Sequence, residues 1–146
     1  MILKPLIGID NIILGSSKQS IFELLGQPES TNSDEWPDGT ISESWLYLDS
    51  GLTLNFDSDN NYRLSTINTT SRQAELEGLK LVGKNINSII DKHSSIILDE
   101  DLSESVKDYV YPEKEISFWV VNDLIENITV FPEYDKSKDL PIWPVT

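Results

Sequence analysis

The chain has 146 residues, of which 25 are Asp or Glu and 11 are Lys or Arg, so its formal net charge at pH 7 is −14. This charge argues against binding to nucleic acid or to anionic membranes, because phosphate contacts need Lys and Arg. The absence of cysteine excludes disulfides and thiolate chemistry, while a hydrophobic content of 38% is enough for a folded core.

The first predicted element is a short amphipathic helix within residues 14–28. Ser16 or Ser17 can cap its N-terminus, since a serine side chain accepts a hydrogen bond from the free N–H groups of the first turn. Gly26 and Pro28 end the helix. Its apolar stripe is expected to consist of Ile21, Phe22, Leu24 and Leu25.

Three strands are predicted after this helix. Residues 29–43 are predicted to be a polar loop, with a turn at Pro37-Asp38-Gly39. Residues 45–48 and 52–56 are the first two predicted strands, and in the second the apolar Leu52, Leu54 and Phe56 alternate with polar residues in the manner of a half-buried strand. Residues 63–69 form the third predicted strand. Together with the helix they define a first unit over residues 1–70.

A second stretch, residues 81–93, has a similar layout, in which Gly83, Ser88 and Ile89 align with Gly15, Ser20 and Ile21. It predicts a helix at 84–93, an acidic loop at 99–104 and strands at 106–111, 115–121 and 124–131. The predicted class is therefore α+β: an antiparallel sheet backed by helices, built from two helix–strand–strand–strand units in tandem. The units span 1–70 and 79–132 of a single domain, 1–146. The tail, 133–146, is expected to be extended and pinned by Ile142 or Trp143.

Strand alternation also predicts which residues share each face of the sheet. The helix-covered face is expected to hold Leu46, Leu48, Leu52, Leu54, Phe56, Val110, Ile116, Phe118 and Val120. The other face would then present Trp45, Tyr47, Tyr109, Tyr111 and Trp119. Uncovered aromatic patches usually mark interaction sites. The alternative is that the tail or the loops cover these rings and form a second small core.

Acidic residues are concentrated where basic ones are missing. No Lys or Arg lies between Lys18 and Arg63. The negative electrostatic field of such a stretch attracts basic proteins, although the acidic residues could equally serve solubility alone. We predict partner binding by two groups of residues. The contact residues are Trp36, Trp45, Tyr47, Asp57, Tyr109, Tyr111 and Trp119, and the steering charges are Asp34, Glu35, Asp38, Asp99, Glu100 and Asp101.

The sequence offers little for catalysis. His93 is the single histidine, and its place at a helix end favours a capping role over general acid–base chemistry. The spacing Asp57-x-Asp59-x-Asn61 opens like a calcium loop but lacks the later glycine and the bidentate glutamate. We predict a protein that is not an enzyme and that has no cofactor and no metal.

The residues Gly15-Ser16-Ser17, Ile21-Phe22 and Leu24-Leu25-Gly26-Gln27-Pro28 resemble the opening of the helix–strand units in BamE/SmpA-like and beta-lactamase-inhibitor-protein-like domains. The chain as a whole, small and acidic, resembles the immunity proteins of bacterial toxin systems of the contact-dependent growth inhibition type. That resemblance implies a cytoplasmic protein that binds and neutralises one toxin domain, often a basic nuclease. The alternative is a non-enzymatic interaction or chaperone module of BamE-like architecture.

Overall fold

The structure is a computed structural model, and it describes residues 1–145. It contains two α-helices, fifteen strands and three 3₁₀ turns, at Leu48–Ser50, Ser58–Asn60 and Pro112–Lys114. In chain order the helices and strands are β1 (Leu3–Lys4), β2 (Gly8–Ile9), β3 (Ile12–Ile13), α1 (Lys18–Leu25), β4 (Ser30–Glu35), β5 (Ile41–Tyr47), β6 (Leu52–Asp57), β7 (Leu64–Thr69), β8 (Glu75–Leu76), β9 (Leu79–Lys80), α2 (Ile86–Ile90), β10 (Ile97–Asp101), β11 (Val106–Tyr111), β12 (Ile116–Val121), β13 (Leu124–Val130), β14 (Glu133–Asp135) and β15 (Leu140–Ile142).

One eight-stranded antiparallel sheet dominates the fold. Its strand order is β10-β11-β12-β13-β7-β6-β5-β4, so two four-stranded meanders meet at their last strands. Three residue pairs join β7 to β13: Ile67 with Val130, Asn68 with Thr129 and Thr69 with Ile128. Because this joint is short, each meander extends beyond it in the opposite direction along the strands.

The hydrophobic core lies against one face of this sheet, which we call the core face. Clean alternation in β6 and β12 places Leu52, Leu54, Phe56, Ile116, Phe118 and Val120 there, each no more than 5% exposed. These six positions confirm that part of the facing prediction. The register then extends the assignment to neighbouring strands, since directly paired residues share a face.

The predicted class, a helix-backed α+β fold of two tandem units, is wrong. Strands make up 46% of the chain and helices, with the three 3₁₀ turns included, 15%, so the fold is β-rich. The two α-helices have eight and five residues, too little to cover an eight-stranded sheet. Short strands and loops do much of the covering instead, through buried residues that include Leu3, Ile9, Ile12, Leu14, Leu76, Leu81 and Ile96.

Helix α1 is capped as predicted but docks less extensively. The Ser17 hydroxyl accepts a hydrogen bond from the Ser20 N–H at 3.1 Å, and Gly26 ends the helix with φ of +80°. Of the predicted stripe, Ile21 is buried and Leu25 is partly buried against the core, whereas Phe22 and Leu24 are exposed. The second helix is shorter than predicted and covers Ile86–Ile90.

Two regions predicted as polar or acidic loops contain strands. β4 lies within 29–43, and β10 includes Asp99, Glu100 and Asp101. Every residue of these two strands is exposed, because they form the two edges of the sheet. They were not predicted because they lack alternating apolar residues. Their acidic side chains discourage edge-to-edge association with other chains.

The tail is anchored, as predicted, by Trp143. It folds into the hairpin β14–β15, after which the Trp143 ring packs on Gly15. Gly15 has φ of +87°, and a Cβ there would lie 2.9 Å from the indole, so both the backbone and the ring require glycine. No helix in residues 1–145 is long and apolar enough to cross a membrane.

Candidate protein-binding site

The face of the sheet opposite the core, which we call the outer face, carries one row of directly paired side chains across all eight strands. Four consecutive central positions of this row are polar, and they are flanked by apolar residues on β11 and β5. From β10 to β4 the row is Ile97, Val110, Ser117, Thr129, Asn68, Thr53, Leu46 and Ser30.

Side-chain hydrogen bonds connect the polar centre of the outer face. The Asn68 amide nitrogen donates to Asn127 Oδ1 and to Thr129 Oγ1, both at 2.9 Å, across the joint between the meanders. On the other side, Asn55 Nδ2 donates to Thr66 Oγ1 at 2.9 Å. These bonds satisfy part of the hydrogen-bonding capacity of the side chains and stiffen the centre of the face.

The β10–β12 end of the outer face differs in character. Trp119 is 37% exposed and is paired directly with Asp108, which is paired in turn with Glu100. Ile97, 52% exposed, and Val110 lie in the adjacent row. We call these five residues the Trp119 patch. It combines an exposed indole, apolar neighbours and two carboxylates on three consecutive strands.

The two carboxylates of the Trp119 patch face each other without a cation. Like charges directly opposite on paired strands are destabilising. The two ion pairs in residues 1–145, Lys18 with Glu43 and Lys114 with Glu77, involve neither of them. Burial, followed by the charges of Asp99 and Glu100, raises the pKa of Asp108 above its ordinary value of 3.8. The chain therefore keeps an unfavourable charge arrangement at this end of the sheet.

Replacing Asp108 with asparagine should stabilise the protein. A carboxyl whose pKa is raised by folding destabilises the folded state above that pKa, and the penalty disappears as the pH falls below the unfolded value. We expect Asp108→Asn to stabilise the fold at pH 7 by up to about 1 kcal/mol, the size of a cross-strand pair effect. The gain should vanish below the ordinary pKa of 3.8. Thermal unfolding of the variant and the unchanged chain at neutral and acidic pH measures the gain at pH 7 and its disappearance. A loss of stability at pH 7 would show that the two carboxylates do not repel each other in the folded chain.

Four of the five rings predicted for the uncovered face lie on the core face. Trp45, Tyr47, Tyr109 and Tyr111 pair directly with Leu54, Leu52, Phe118 and Ile116. Tyr47 and Tyr111 are 6% and 7% exposed, and the Trp45 ring lies 4.8 Å from that of Phe56. The facing prediction is wrong for these rings and for Leu46 and Val110, which lie on the outer face. The exposed Leu48 lies outside the strands, in a 3₁₀ turn.

The reason for this error is that the C-terminal halves of β5 and β11 carry apolar or aromatic residues on both faces. In Trp45-Leu46-Tyr47 either set of alternate residues is apolar enough for the core face, and a shift of one residue exchanges the two faces. Tyr47 also has a structural task, because its hydroxyl donates to the Gly26 carbonyl at 2.8 Å and so ties β5 to the end of α1.

The predicted acidic residues are dispersed. Asp34 and Glu35 lie on β4, and the exposed Trp36 and Asp38 lie at the β4–β5 turn, where Asp38 accepts from the Thr40 N–H at 2.9 Å. The Asp99–Asp101 group lies on β10, at the opposite edge of the sheet. Seven strand spacings of about 4.8 Å put the edges roughly 34 Å apart along the sheet. The predicted steering charges therefore lie at two separate edges of the sheet and not together.

Asp57 and Asp101 stand apart from the Trp119 patch. Asp57 accepts from Ser42 Oγ at 2.8 Å in the other meander, and Asp101 is paired with Lys107. Of the predicted residues, the structure brings together Trp119, Glu100 and, at the β10 bulge, Asp99. Sequence reasoning missed Asp108, Val110 and Ile97. The alternation of polar and apolar residues in β12, which exposes Trp119, could have located Asp108 had the register with β11 been known.

Within residues 1–145, no group of three or more His, Asp or Glu side chains is placed to hold a metal ion. His93 follows α2, and its ring lies 5.9 Å from that of Tyr111.

Comparison with known proteins gives little further information. No family model and no curated protein matches the sequence. Among solved structures, the chain is similar to an extracellular protein containing an SCP domain from Bacillus anthracis, with 9% sequence identity and a TM-score of 0.49. The alignment covers 82% of this chain and 44% of that one, so the chain spans less than half the length of that protein.

Proposed function

We propose that this protein is a non-enzymatic immunity protein, which binds a basic toxin domain through the Trp119 patch and thereby neutralises it in the cytoplasm. The observation that carries the proposal is the uncompensated Glu100–Asp108 pair beside an exposed tryptophan. A partner cation placed between the two carboxylates would remove their repulsion, so binding would gain what folding loses.

The chemistry of the patch supports a protein partner. Tryptophan is among the residues most enriched at the energetic centres of protein interfaces, and apolar neighbours such as Ile97 and Val110 exclude water around it. The paired outer-face positions between residues 30 and 130 carry no Lys or Arg. A basic partner therefore meets no Lys or Arg at these positions, and the net charge of −14 accelerates its approach.

The polar centre of the outer face would form the rest of the contact. Its Ser, Thr and Asn side chains are short and partly engaged with one another, so ordering them on binding costs little entropy. In this arrangement the patch supplies most of the affinity, and the hydrogen-bonded centre supplies a surface of complementary polarity.

The test is to express the chain together with the product of the gene immediately upstream of its own. We expect the upstream product alone to stop growth, the pair to grow normally, and the two proteins to purify as one complex. An upstream product that binds without being toxic would favour the alternative, an interaction module with an ordinary partner. An upstream product that is toxic in the presence of the chain, or that does not bind it, would contradict the immunity proposal.

A further inference from the structure

A cleft opens where β7 and β13 separate. After Thr69 the chain leaves the sheet, while β13 continues on its other side and pairs with the segment before α2. There the Gly83 N–H donates to the Ile125 carbonyl at 2.7 Å, and the Ile125 N–H donates to Lys84 O at 2.9 Å. The wedge between these two pairings encloses a volume of about 540 Å³, within the range of small-molecule sites.

One wall of the cleft carries Arg72, which lies against Gly83. A Cβ at position 83 would lie 2.9 Å from Nη1, 3.1 Å from Cζ and 3.5 Å from Nη2, so the guanidinium packs directly on the glycine backbone. No carboxylate of residues 1–145 forms an ion pair with Arg72. In a chain with more than twice as many acidic as basic residues, a positioned arginine without an anion is an unusual feature.

A second donor lines the same cleft. Asn127 Oδ1 accepts from Asn68 at 2.9 Å, which fixes the amide orientation and leaves the Asn127 NH₂ without an acceptor among the described residues. The remaining lining is partly apolar, with Val82, Val121, Leu124 and Ile125. A forked cation, an amide donor and an apolar floor are together suited to a carboxylate attached to an apolar group.

We propose that this cleft binds an apolar carboxylate, either a free organic acid or the C-terminal end of a peptide, with Arg72 as the anchoring cation. The carboxylate accepts from the Arg72 guanidinium and from the Asn127 NH₂, and the apolar group lies against Val121 and Leu124. Glu126 also lines the cleft, and its charge opposes the ligand. This inference does not depend on the proposed function, since it concerns a different ligand and a different anchoring side chain; Asn127 alone belongs to both the cleft and the polar centre of the outer face.

The test uses N-acetyl-leucine and its amide, N-acetyl-leucinamide, which differ in charge at the same size. Each is titrated into the full chain at millimolar concentration, and NMR follows the Gly83 amide and the Asn127 side-chain NH₂. We expect saturable shifts with the acid and none with the amide. Equal responses to both probes, or no saturable response to the acid, would overturn the proposal.

Variants locate the site. Arg72→Gln should weaken acid binding at least about tenfold, because charge-assisted hydrogen bonds are lost. Arg63→Gln is the matched control, because it removes the same charge outside the cleft, where Arg63 lies beside Trp143. It should change the affinity less than about twofold if the net charge of the chain has little effect on binding. Glu126→Gln should strengthen binding. Unchanged binding in Arg72→Gln, or equal losses in the two arginine variants, would overturn the assignment.

A further arm distinguishes the two sources of the carboxylate. Acetyl-Ala-Ala-Leu, with a free C-terminus, adds two peptide units to the same terminal leucine. Tighter binding than N-acetyl-leucine would identify a peptide terminus as the ligand. Equal or weaker binding would identify a free organic acid, and both results support a carboxylate site in this cleft.

Discussion

Trp119→Ala should weaken binding to the partner by at least about 2 kcal/mol, or roughly thirtyfold in Kd, as for other central interface tryptophans. Its effect on folding should be small, because Trp119 lies on the outer face and is 37% exposed. Isothermal titration calorimetry with the purified partner measures the change in affinity, and thermal unfolding of the free chain measures the change in stability.

The matched control is Trp36→Ala. Trp36 is more exposed than Trp119, at 55%, and lies at the β4–β5 turn on the far edge of the sheet. We expect this substitution to change binding by less than about 0.5 kcal/mol, as for a surface residue outside an interface. If Trp36→Ala costs more binding than Trp119→Ala, the partner uses the other edge of the sheet.

Phe118→Ala should have the opposite effects, a large loss of stability and little change in affinity for the partner. Phe118 is adjacent to Trp119 in β12 but points to the core face, where it is fully buried between Tyr109 on β11 and Ile128 on β13. Truncating a buried phenylalanine costs about 3–5 kcal/mol, through lost hydrophobic burial and the cavity left behind. For a chain of this size we expect the Tm to fall by about 10 °C or more.

Measuring the affinity for the partner separates an effect on folding from an effect on binding. Under conditions where Phe118→Ala is folded, its Kd for the partner should stay close to that of the unchanged chain, because the substitution does not touch the outer face. Phe118→Leu, which keeps most of the side-chain volume, should lose far less stability. If Phe118→Ala left the Tm unchanged, the assignment of faces in β12 would be wrong.

Short apolar strands with polar residues between them were predictable from the sequence. Alternation is unambiguous in Leu52-Thr53-Leu54 and in Ile116-Ser117-Phe118, so the core positions of β6 and β12 follow directly. The edge strands β4 and β10 were not predictable in this way, because they are fully exposed and bury no face that would impose a pattern.

The candidate site was only partly predictable for a related reason. Trp119 could be assigned to the outer face because its strand alternates, whereas its neighbours depend on the register between strands. Asp108 and Glu100 lie in strands whose phase the local sequence does not determine, and β10 also contains a bulge at Asp99. The like-charge pair is a consequence of tertiary pairing, which hydrophobic periodicity does not encode.

The most direct test of the account is ¹⁹F NMR of the chain labelled with 5-fluorotryptophan, which reports on each of its four tryptophans. Single Trp→Phe substitutions assign the signals, and the partner is then added. We predict that the Trp119 signal shifts or broadens on binding, while the signals of Trp36 and Trp143 stay unchanged. A complex in which the Trp119 signal does not change and that of Trp36 does would contradict binding through the Trp119 patch.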